Sequence, residues 1–159
     1  MSLIAQPLLA LFILNLGIAL GAGLYETRLV IPHWFPRSAK AGYQINNQAI
    51  RDIDSGRKFW AFVTTGPLTL LTLANLVLAW QSDLPGSYWW LAAALITLIE
   101  RISTFSFFIP TAIKLQAPTP SPAAKLYRLA SLWIGLNYVR NLLTLLGWVL
   151  ALEAFTFVA

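Results

Sequence analysis

Four charged side chains interrupt or border the long apolar segments of this sequence: Glu26, Glu100, Arg101 and Arg140. A charge at the centre of a bilayer costs about 2.5 kcal/mol or more, so each of them needs a partner or a function. A carboxylate is able to remove a proton from a substrate, and a nearby guanidinium stabilises the anion that results. Any catalytic or binding site is therefore expected at these residues.

Helical spacing brings the charges together with other polar side chains. On the last apolar segment, residues that recur every three or four positions share one helix face: Trp133, Asn137, Arg140, Asn141, Thr144 and Trp148. The other segments carry similar stripes: Asn15, Ala19, Ala22 and Glu26; Thr65, Thr69 and Thr72; Thr97, Glu100 and Thr104. Turned inward, the stripes form a polar core, in which an ion pair between Glu100 and Arg140 is the most economical pairing.

The elements that position these residues are predicted to be membrane helices. The chain has 159 residues, of which 58% are hydrophobic and only 11% charged, so water is the wrong solvent for it. A membrane-crossing helix takes about 20 residues, and four of them leave no room for a soluble domain. The sequence predicts an all-α, antiparallel bundle of four transmembrane helices in one domain, over residues 5–31, 59–81, 88–114 and 123–155.

Charge and residue types exclude several functions and set the orientation. The absence of cysteine excludes disulfides and thiolate metal sites. The net charge of +5 does not indicate nucleic-acid binding, because the basic residues lie between the apolar segments. Eight of them fall in or beside two connections: Arg37, Lys40, Arg51, Arg57, Lys58, Lys114, Lys125 and Arg128. The positive-inside rule therefore places connections 32–58 and 115–125 in the cytoplasm. Both termini are then expected on the opposite side of the membrane, which is predicted to be the inner (plasma) membrane or its equivalent.

Three local patterns make structural predictions. Residues 39–54 are predicted to form a short amphipathic helix between the first two spans. Gly66-Pro67 predicts a kink, since proline removes one backbone hydrogen bond of the helix. Gly17 and Gly21 form a small-xxx-small pair that predicts close packing of another helix.

His33 is the only histidine and lies between two prolines. A solvated or hydrogen-bonded loop residue is the favoured interpretation. Alternatively, His33 serves as a single metal ligand beside Glu26, or as an axial ligand to a tetrapyrrole. No spacing in the chain matches a metal motif, and the sequence names no cofactor.

Several short motifs resemble a known family. These are Gly21-Ala22-Gly23-Leu24-Tyr25-Glu26 followed by Ile31-Pro32, then Phe108-Ile109-Pro110-Thr111, then Trp133-x3-Asn137-x2-Arg140. In this pattern the chain resembles the anthrone-oxygenase-like family of small four-helix membrane proteins, some of whose fungal members oxygenate anthrones to anthraquinones. The resemblance implies that Trp133, Asn137 and Arg140 line a site faced by Tyr25 and Glu26.

The polar core has a purely structural interpretation and several functional ones. In the structural one, the Glu100–Arg140 pair only fixes the register of the helices. In the functional one, Glu26, Glu100, Asn137 and Arg140 surround a cavity, open to the cytoplasmic leaflet, that binds a small, partly apolar molecule or carries protons.

Three functional classes follow. The first is an oxygenase-like enzyme acting on an aromatic or quinone-like lipophile, with Glu26, Asn137 and Arg140 in catalysis and Tyr25, Glu100 and Trp133 as substrate contacts. The second is a non-catalytic subunit of a larger photosynthetic or respiratory membrane complex. The third is a small transporter or proton-conducting module, which is disfavoured because the sequence has no inverted repeat.

Overall fold

Four long apolar helices make up most of the molecule. The computed structural model describes residues 4–38, 42–116 and 123–158. We call its long helices the first to fourth spans: Ala5–Trp34, Gly56–Trp80, Ser87–Gln116 and Ala123–Val158. All four are long and apolar enough to cross a membrane, and the predicted all-α fold is confirmed. The helix ends lie within about one turn of the predicted bounds.

Each span packs chiefly on two neighbours, so the bundle is four-cornered. The first and third spans both contact the second and the fourth. A tight turn of residues 82–86 joins the second and third spans, and Gly86 in this turn has a φ of 83°, a left-handed conformation that favours glycine. Phe157 of the fourth span packs directly on Gly86. The turn therefore makes these two spans antiparallel neighbours, as the sequence predicts.

The connection between the first and second spans contains two short strands and one short helix. Strands Arg37–Ser38 and Gly42–Tyr43 pair antiparallel, and a short helix follows at Asn47–Ile53. The predicted helix over residues 39–54 is thus too long: residues 42–43 are extended, and residues 39–41 lie outside the described ranges. The Asn46 side chain accepts a hydrogen bond from the Ala49 N–H and so fixes the start of the helix.

We call the end of the bundle at which the first and second spans are connected the basic end. Exposed basic side chains lie on it: Arg37, Arg51, Arg57, Lys58 and Lys114. The segment that follows the third span, residues 117–122, lies outside the described ranges, as does the predicted basic residue Lys40.

Three of the spans change helical type in front of a proline. The π-helical segments are Glu26–Val30, Gly56–Thr65 and Thr104–Phe108, and each ends two residues before a proline: Pro32, Pro67 and Pro110. Proline has no N–H, and its ring crowds the carbonyl four residues earlier, which a wider π turn relieves. At Gly66-Pro67, where the sequence predicts a kink, the structure shows this change of helical type.

Asn15 of the first span compensates for one of these prolines. Pro67 has no N–H to give to the carbonyl of Val63, which lies four residues before it. The Asn15 side-chain amide donates to that carbonyl instead, with Nδ2 2.9 Å from the oxygen. A polar side chain of the first span therefore stabilises the irregular helix of the second.

Two apolar clusters lie along the bundle, and buried polar residues lie between them on the first, third and fourth spans. The cluster near the 82–86 turn contains Leu9, Phe12, Leu16, Leu68, Trp90 and Ala151. The cluster near the basic end contains Ile31, Trp34, Phe35, Ile50, Phe108 and Trp133. Buried polar residues separate the two: Glu26, Thr27, Glu100, Arg101, Asn137 and Asn141. The fold thus places a polar layer towards the basic end, as the stripes predict.

Close packing of the first span occurs at Gly17 and Gly23 but not at Gly21. Gly17 faces the ring of Trp148, and Gly23 lies against the side-chain amide of Asn141, whereas a Cβ atom at Gly21 would have no neighbour within 4 Å. The small-residue prediction is therefore wrong for Gly21. The buried face recurs at spacings of three and four through Ala19 and Gly23, and Gly21 points away from it.

Candidate intramembrane site

Glu26 is a buried carboxylate with partners from the second span, from the residue that precedes this span and from the fourth span. Its side chain is only 6% exposed. Oε1 accepts hydrogen bonds from Ser55 Oγ at 2.5 Å and from Trp60 Nε1 at 2.9 Å. Oε2 lies 3.6 Å from Nη2 of Arg140 on the fourth span. Two donors on one oxygen hold the carboxylate in a fixed orientation.

Arg140 is held by aromatic rings as well as by charge. Its guanidinium carbon lies 5.4 Å from the ring centroid of Trp60 and 4.9 Å from that of Phe108, within the range of cation–π attraction. Nη2 is buried and has no hydrogen-bond partner among the described residues. An arginine carries five N–H donors, so this guanidinium retains the capacity to bind an oxygen atom.

Glu100 pairs with Arg101, its neighbour in the chain. Arg101 Nη2 contacts Glu100 Oε2, and Thr104 Oγ1 donates to Glu100 Oε1 at 3.0 Å. The predicted Glu100–Arg140 ion pair is therefore wrong. The long arginine side chain turns back along its own helix, although the two Cβ atoms point about 100° apart.

The four charges nevertheless form one group. Glu100 and Arg101 lie close enough to Arg140 to interact with it electrostatically. Two carboxylates and two guanidinium groups balance, so the buried group carries no net charge when all four are ionised. Pairing lowers the cost of placing these charges away from water.

A hydrogen-bonded row joins the first and fourth spans beside Glu26. Asn141 Nδ2 donates to Thr27 Oγ1 at 2.9 Å, and Thr27 Oγ1 donates to the Gly23 carbonyl at 2.7 Å. All three residues are buried. The row fixes the two helices at the height where Glu26 meets Arg140.

Asn137, Trp133 and Trp34 add further polar atoms on the basic-end side. Trp133 Nε1 donates to the Phe108 carbonyl at 3.3 Å, and Asn137 Nδ2 donates to the Trp133 carbonyl at 2.8 Å. Asn137 Oδ1 and Trp34 Nε1 are buried without a hydrogen-bond partner in the part of the chain that the structure describes. Buried polar atoms are normally paired, so these two atoms are an acceptor and a donor that a polar ligand or water would satisfy.

Two of the predicted site residues lie away from this group. Tyr25 is 62% exposed, so the expectation that it faces Arg140 is wrong. Its side chain points about 100° around the helix from that of Glu26 and lies on the outer surface beside the exposed Leu24. His33 is exposed as well, whereas Glu26 is buried against Ser55, Trp60 and Arg140. The described residues contain no group of three or more His, Cys, Asp or Glu side chains that could hold a metal.

Sequence reasoning missed Ser55 and Trp60 as partners of Glu26. Ser55 belongs to a polar connection, where a serine carries no signal, and Trp60 looks like an ordinary aromatic residue of the second span. The face of this span runs through Thr64 and Thr72, while the predicted Thr65 and Thr69 are only half-buried. Continuing that face backwards by four residues leads to Trp60, which is the signal that could have found it.

Comparisons with protein-family models, with curated proteins and with solved structures found no match to this chain. The resemblance to the anthrone-oxygenase-like family stays a prediction.

Proposed function

We propose that this protein is a membrane-embedded oxygenase acting on an aromatic, quinone-like lipophile, with Glu26 as the general base. One observation supports this most: the oriented carboxylate of Glu26 lies beside Arg140, whose Nη2 is buried without a hydrogen-bond partner among the described residues. Removing a proton from carbon requires a base and a donor for the anion that forms. Glu26 and Arg140 supply both.

The neighbouring side chains suit a flat aromatic substrate bearing oxygen atoms. The rings of Trp60 and Phe108 flank the guanidinium, and Trp133 packs beside Phe108 with ring centroids 6.4 Å apart. Aromatic rings of a substrate pack well against such side chains. Within the described part of the chain, Asn137 Oδ1 is a free acceptor for a substrate hydroxyl and Arg140 Nη2 is a free donor for a carbonyl oxygen.

The chemistry begins at a methylene carbon that lies between two aromatic rings and is conjugated to a carbonyl. Glu26 takes one proton from this carbon, and the electron pair moves to the carbonyl oxygen, where Arg140 stabilises the oxyanion. Dioxygen is the oxidant: it adds to the carbon, and with the return of a proton it gives a hydroperoxide. Loss of water then leaves a new carbonyl, so one oxygen atom enters the product and the other leaves as water.

Glu100 has an indirect part in this proposal. Both of its oxygens already have partners in Arg101 and Thr104, so it influences the site through the charge that it places near Arg140. The sequence analysis predicts that Glu100 contacts the substrate; we propose instead that it acts on Arg140 through its charge.

Oxygen uptake by the purified protein in nanodiscs, with a hydroxylated anthrone as substrate, tests the proposal. The rate is measured above that of protein-free nanodiscs, which corrects for spontaneous oxidation. Glu26→Gln removes the base and is expected to lower the rate by about 10²–10⁴-fold. Glu153→Gln, a change at an exposed position of the fourth span, is the matched control and keeps the wild-type rate.

Equal rates for wild type and Glu26→Gln would overturn the enzyme assignment. No uptake by wild type, together with co-purification of the untagged protein with other membrane subunits, would favour the predicted alternative of a non-catalytic subunit in a larger complex.

The basic end is proposed to face the cytoplasm, with both termini on the other side of the plasma membrane. Exposed Arg51, Arg57 and Lys58 support this orientation through the positive-inside rule. The chain has no cysteine, so single substitutions report its sidedness directly. In intact cells, a membrane-impermeant thiol reagent is expected to label Asp83→Cys in the short turn but not Gln48→Cys at the basic end, and the reverse pattern would contradict the orientation.

A further inference from the structure

We infer that Ser55 relays protons between the Glu26 carboxylate and the aqueous phase at the basic end of the bundle. The inference rests on the proposed function, in which Glu26 acts only in its ionised form and therefore has to exchange any proton that it holds with water before it can act as the base. Ser55 Oγ lies 2.5 Å from Glu26 Oε1, and this hydroxyl belongs to the connection and not to the core of the bundle.

The chemistry of the partners of Glu26 selects Ser55. The indole N–H of Trp60 donates a hydrogen bond but has no lone pair with which to accept a proton, and the guanidinium of Arg140 stays protonated. A hydroxyl both donates and accepts. Of the three described partners of the carboxylate, Ser55 is thus the one that is able to receive a proton and release another.

Ser55 also lies at the boundary with water. It is half-buried, and the next residues, Gly56, Arg57 and Lys58, are exposed. Arg57 forms an ion pair with Asp54 at 3.3 Å, with the arginine side chain 84% exposed. Glu26 lies about 31 Å along the first span from Ala5 at 1.5 Å per residue, close to the thickness of the hydrocarbon core. One hydroxyl therefore separates the buried carboxylate from the solvated segment.

The backbone at Asp54 sets the position of the hydroxyl. Asp54 has a φ of 39°, a left-handed conformation that ends the short helix Asn47–Ile53. Ser55 returns to a helical conformation and leads directly into the second span at Gly56. This sharp turn brings a side chain from the solvated connection against the first span.

The transfer conserves protons. Protonated Glu26 gives its proton to Ser55 Oγ, while Ser55 gives its own hydroxyl proton to water, so one proton leaves and both groups are restored after the hydroxyl rotates. The charged group in contact with Glu26 is Arg140 on the fourth span; Glu100 and Arg101 on the third span interact with Arg140, and Asp54 precedes Ser55 in the connection.

A pH jump with infrared detection tests the relay without any substrate. Acidification protonates Glu26, and its carboxyl band is identified as the one that Glu26→Gln lacks. Ser55→Ala is expected to slow the appearance of this band by about tenfold or more, because water has to enter an apolar site in place of the hydroxyl. Ser55→Thr, which keeps a hydroxyl, is expected to restore the wild-type rate.

Trp60→Phe is the matched control, since it removes the other donor to the same oxygen and leaves Ser55 in place. An unchanged rate in Ser55→Ala would overturn the inference. So would equal slowing in Trp60→Phe and Ser55→Ala, or a Ser55→Thr variant as slow as the alanine variant, because the hydroxyl would then not be the requirement.

The same variants separate the relay from the proposed enzyme. If wild type consumes no oxygen while Ser55→Ala still slows protonation of Glu26, the oxygenase proposal fails and the relay stands. If oxygen uptake depends on Glu26 but protonation is equally fast in Ser55→Ala, the enzyme stands and the relay fails.

Discussion

Arg140 Nη2 lies 3.6 Å from Glu26 Oε2, at ion-pair distance but too far for a good hydrogen bond. The first span thus supplies a carboxylate whose other oxygen accepts two hydrogen bonds. The fourth span supplies a guanidinium with one donor that has no partner in the described ranges. A purely structural ion pair is expected to close this gap. The buried Nη2 atom thus keeps a donor that an oxygen atom of a ligand would satisfy.

Removing Arg140 alone is expected to be more harmful than removing the whole pair. Arg140→Met leaves the Glu26 carboxylate buried without its guanidinium, and the loss of one partner of a buried pair costs about 3–5 kcal/mol of unfolding free energy. In the double variant Glu26→Gln, Arg140→Met, no charge is left unpaired, so much of the stability returns. Unfolding by dodecyl sulfate in mixed micelles measures both variants, and a double variant less stable than Arg140→Met would contradict the argument.

Gly21 and Gly23 of the first span offer a matched comparison. A Cβ atom at Gly23 would overlap the Asn141 amide, which is fixed by its hydrogen bond to Thr27, while one at Gly21 would meet nothing within 4 Å. Gly23→Ala is therefore expected to lower the unfolding free energy by about 1–3 kcal/mol. Gly21→Ala leaves it unchanged or slightly raised. Thermal unfolding in detergent distinguishes them, and equal losses would mean that the close approach at Gly23 is not the cause.

Trp90 provides a test at the other end of the bundle. Its Nε1 donates to Asn75 Oδ1 at 2.9 Å, and both residues are fully buried. Trp90→Phe leaves that oxygen without a donor, which costs about 1–3 kcal/mol in addition to the lost ring volume. Trp80→Phe changes a tryptophan that is 77% exposed and is expected to alter stability by less than about 0.5 kcal/mol. Similar losses in the two variants would show that this hydrogen bond contributes little.

Helical periodicity was sufficient to predict the core-facing residues of the third and fourth spans, but not those of the second, where Thr65 and Thr69 are only half-buried. Thr97, Glu100 and Thr104 are all buried on the third span, and Asn137, Asn141 and Thr144 are buried on the fourth. Spacing of three and four residues determines the direction of each Cβ atom, and the scarcity of polar residues in the spans makes the stripes easy to see. The position of the polar layer follows from the sequence for that reason.

Helical spacing did not predict the partners within that layer; that Glu26 faces Arg140 was expected only from the family resemblance. Arginine has a long, flexible side chain, so Arg101 reaches Glu100 although their Cβ atoms diverge. Ser55 comes from an irregular connection, and its position depends on the left-handed turn at Asp54, which no periodic pattern encodes. Periodicity fixes where a side chain starts, while the contact at its far end depends on the three-dimensional packing.

The hydrogen bond between Asn15 and the Val63 carbonyl is expected to matter because of Pro67. Asn15→Leu removes the donor and leaves the carbonyl unpaired, since Pro67 has no N–H to offer it. In a Pro67→Ala background, the new N–H at position 67 is able to donate to Val63, so the same Asn15→Leu change should cost less. Asn15 Oδ1 is itself buried without a partner in the described chain, but this contribution is the same in both backgrounds and cancels.

A double-mutant cycle measures this coupling. Unfolding free energies of wild type, Asn15→Leu, Pro67→Ala and the double variant are compared in the same mixed micelles. The expected coupling is about 0.6–1.7 kcal/mol, the range found for hydrogen bonds between membrane helices. If Asn15→Leu costs the same with and without Pro67, the proline does not create the need for the Asn15 donor, and the contact between the first two spans has another origin.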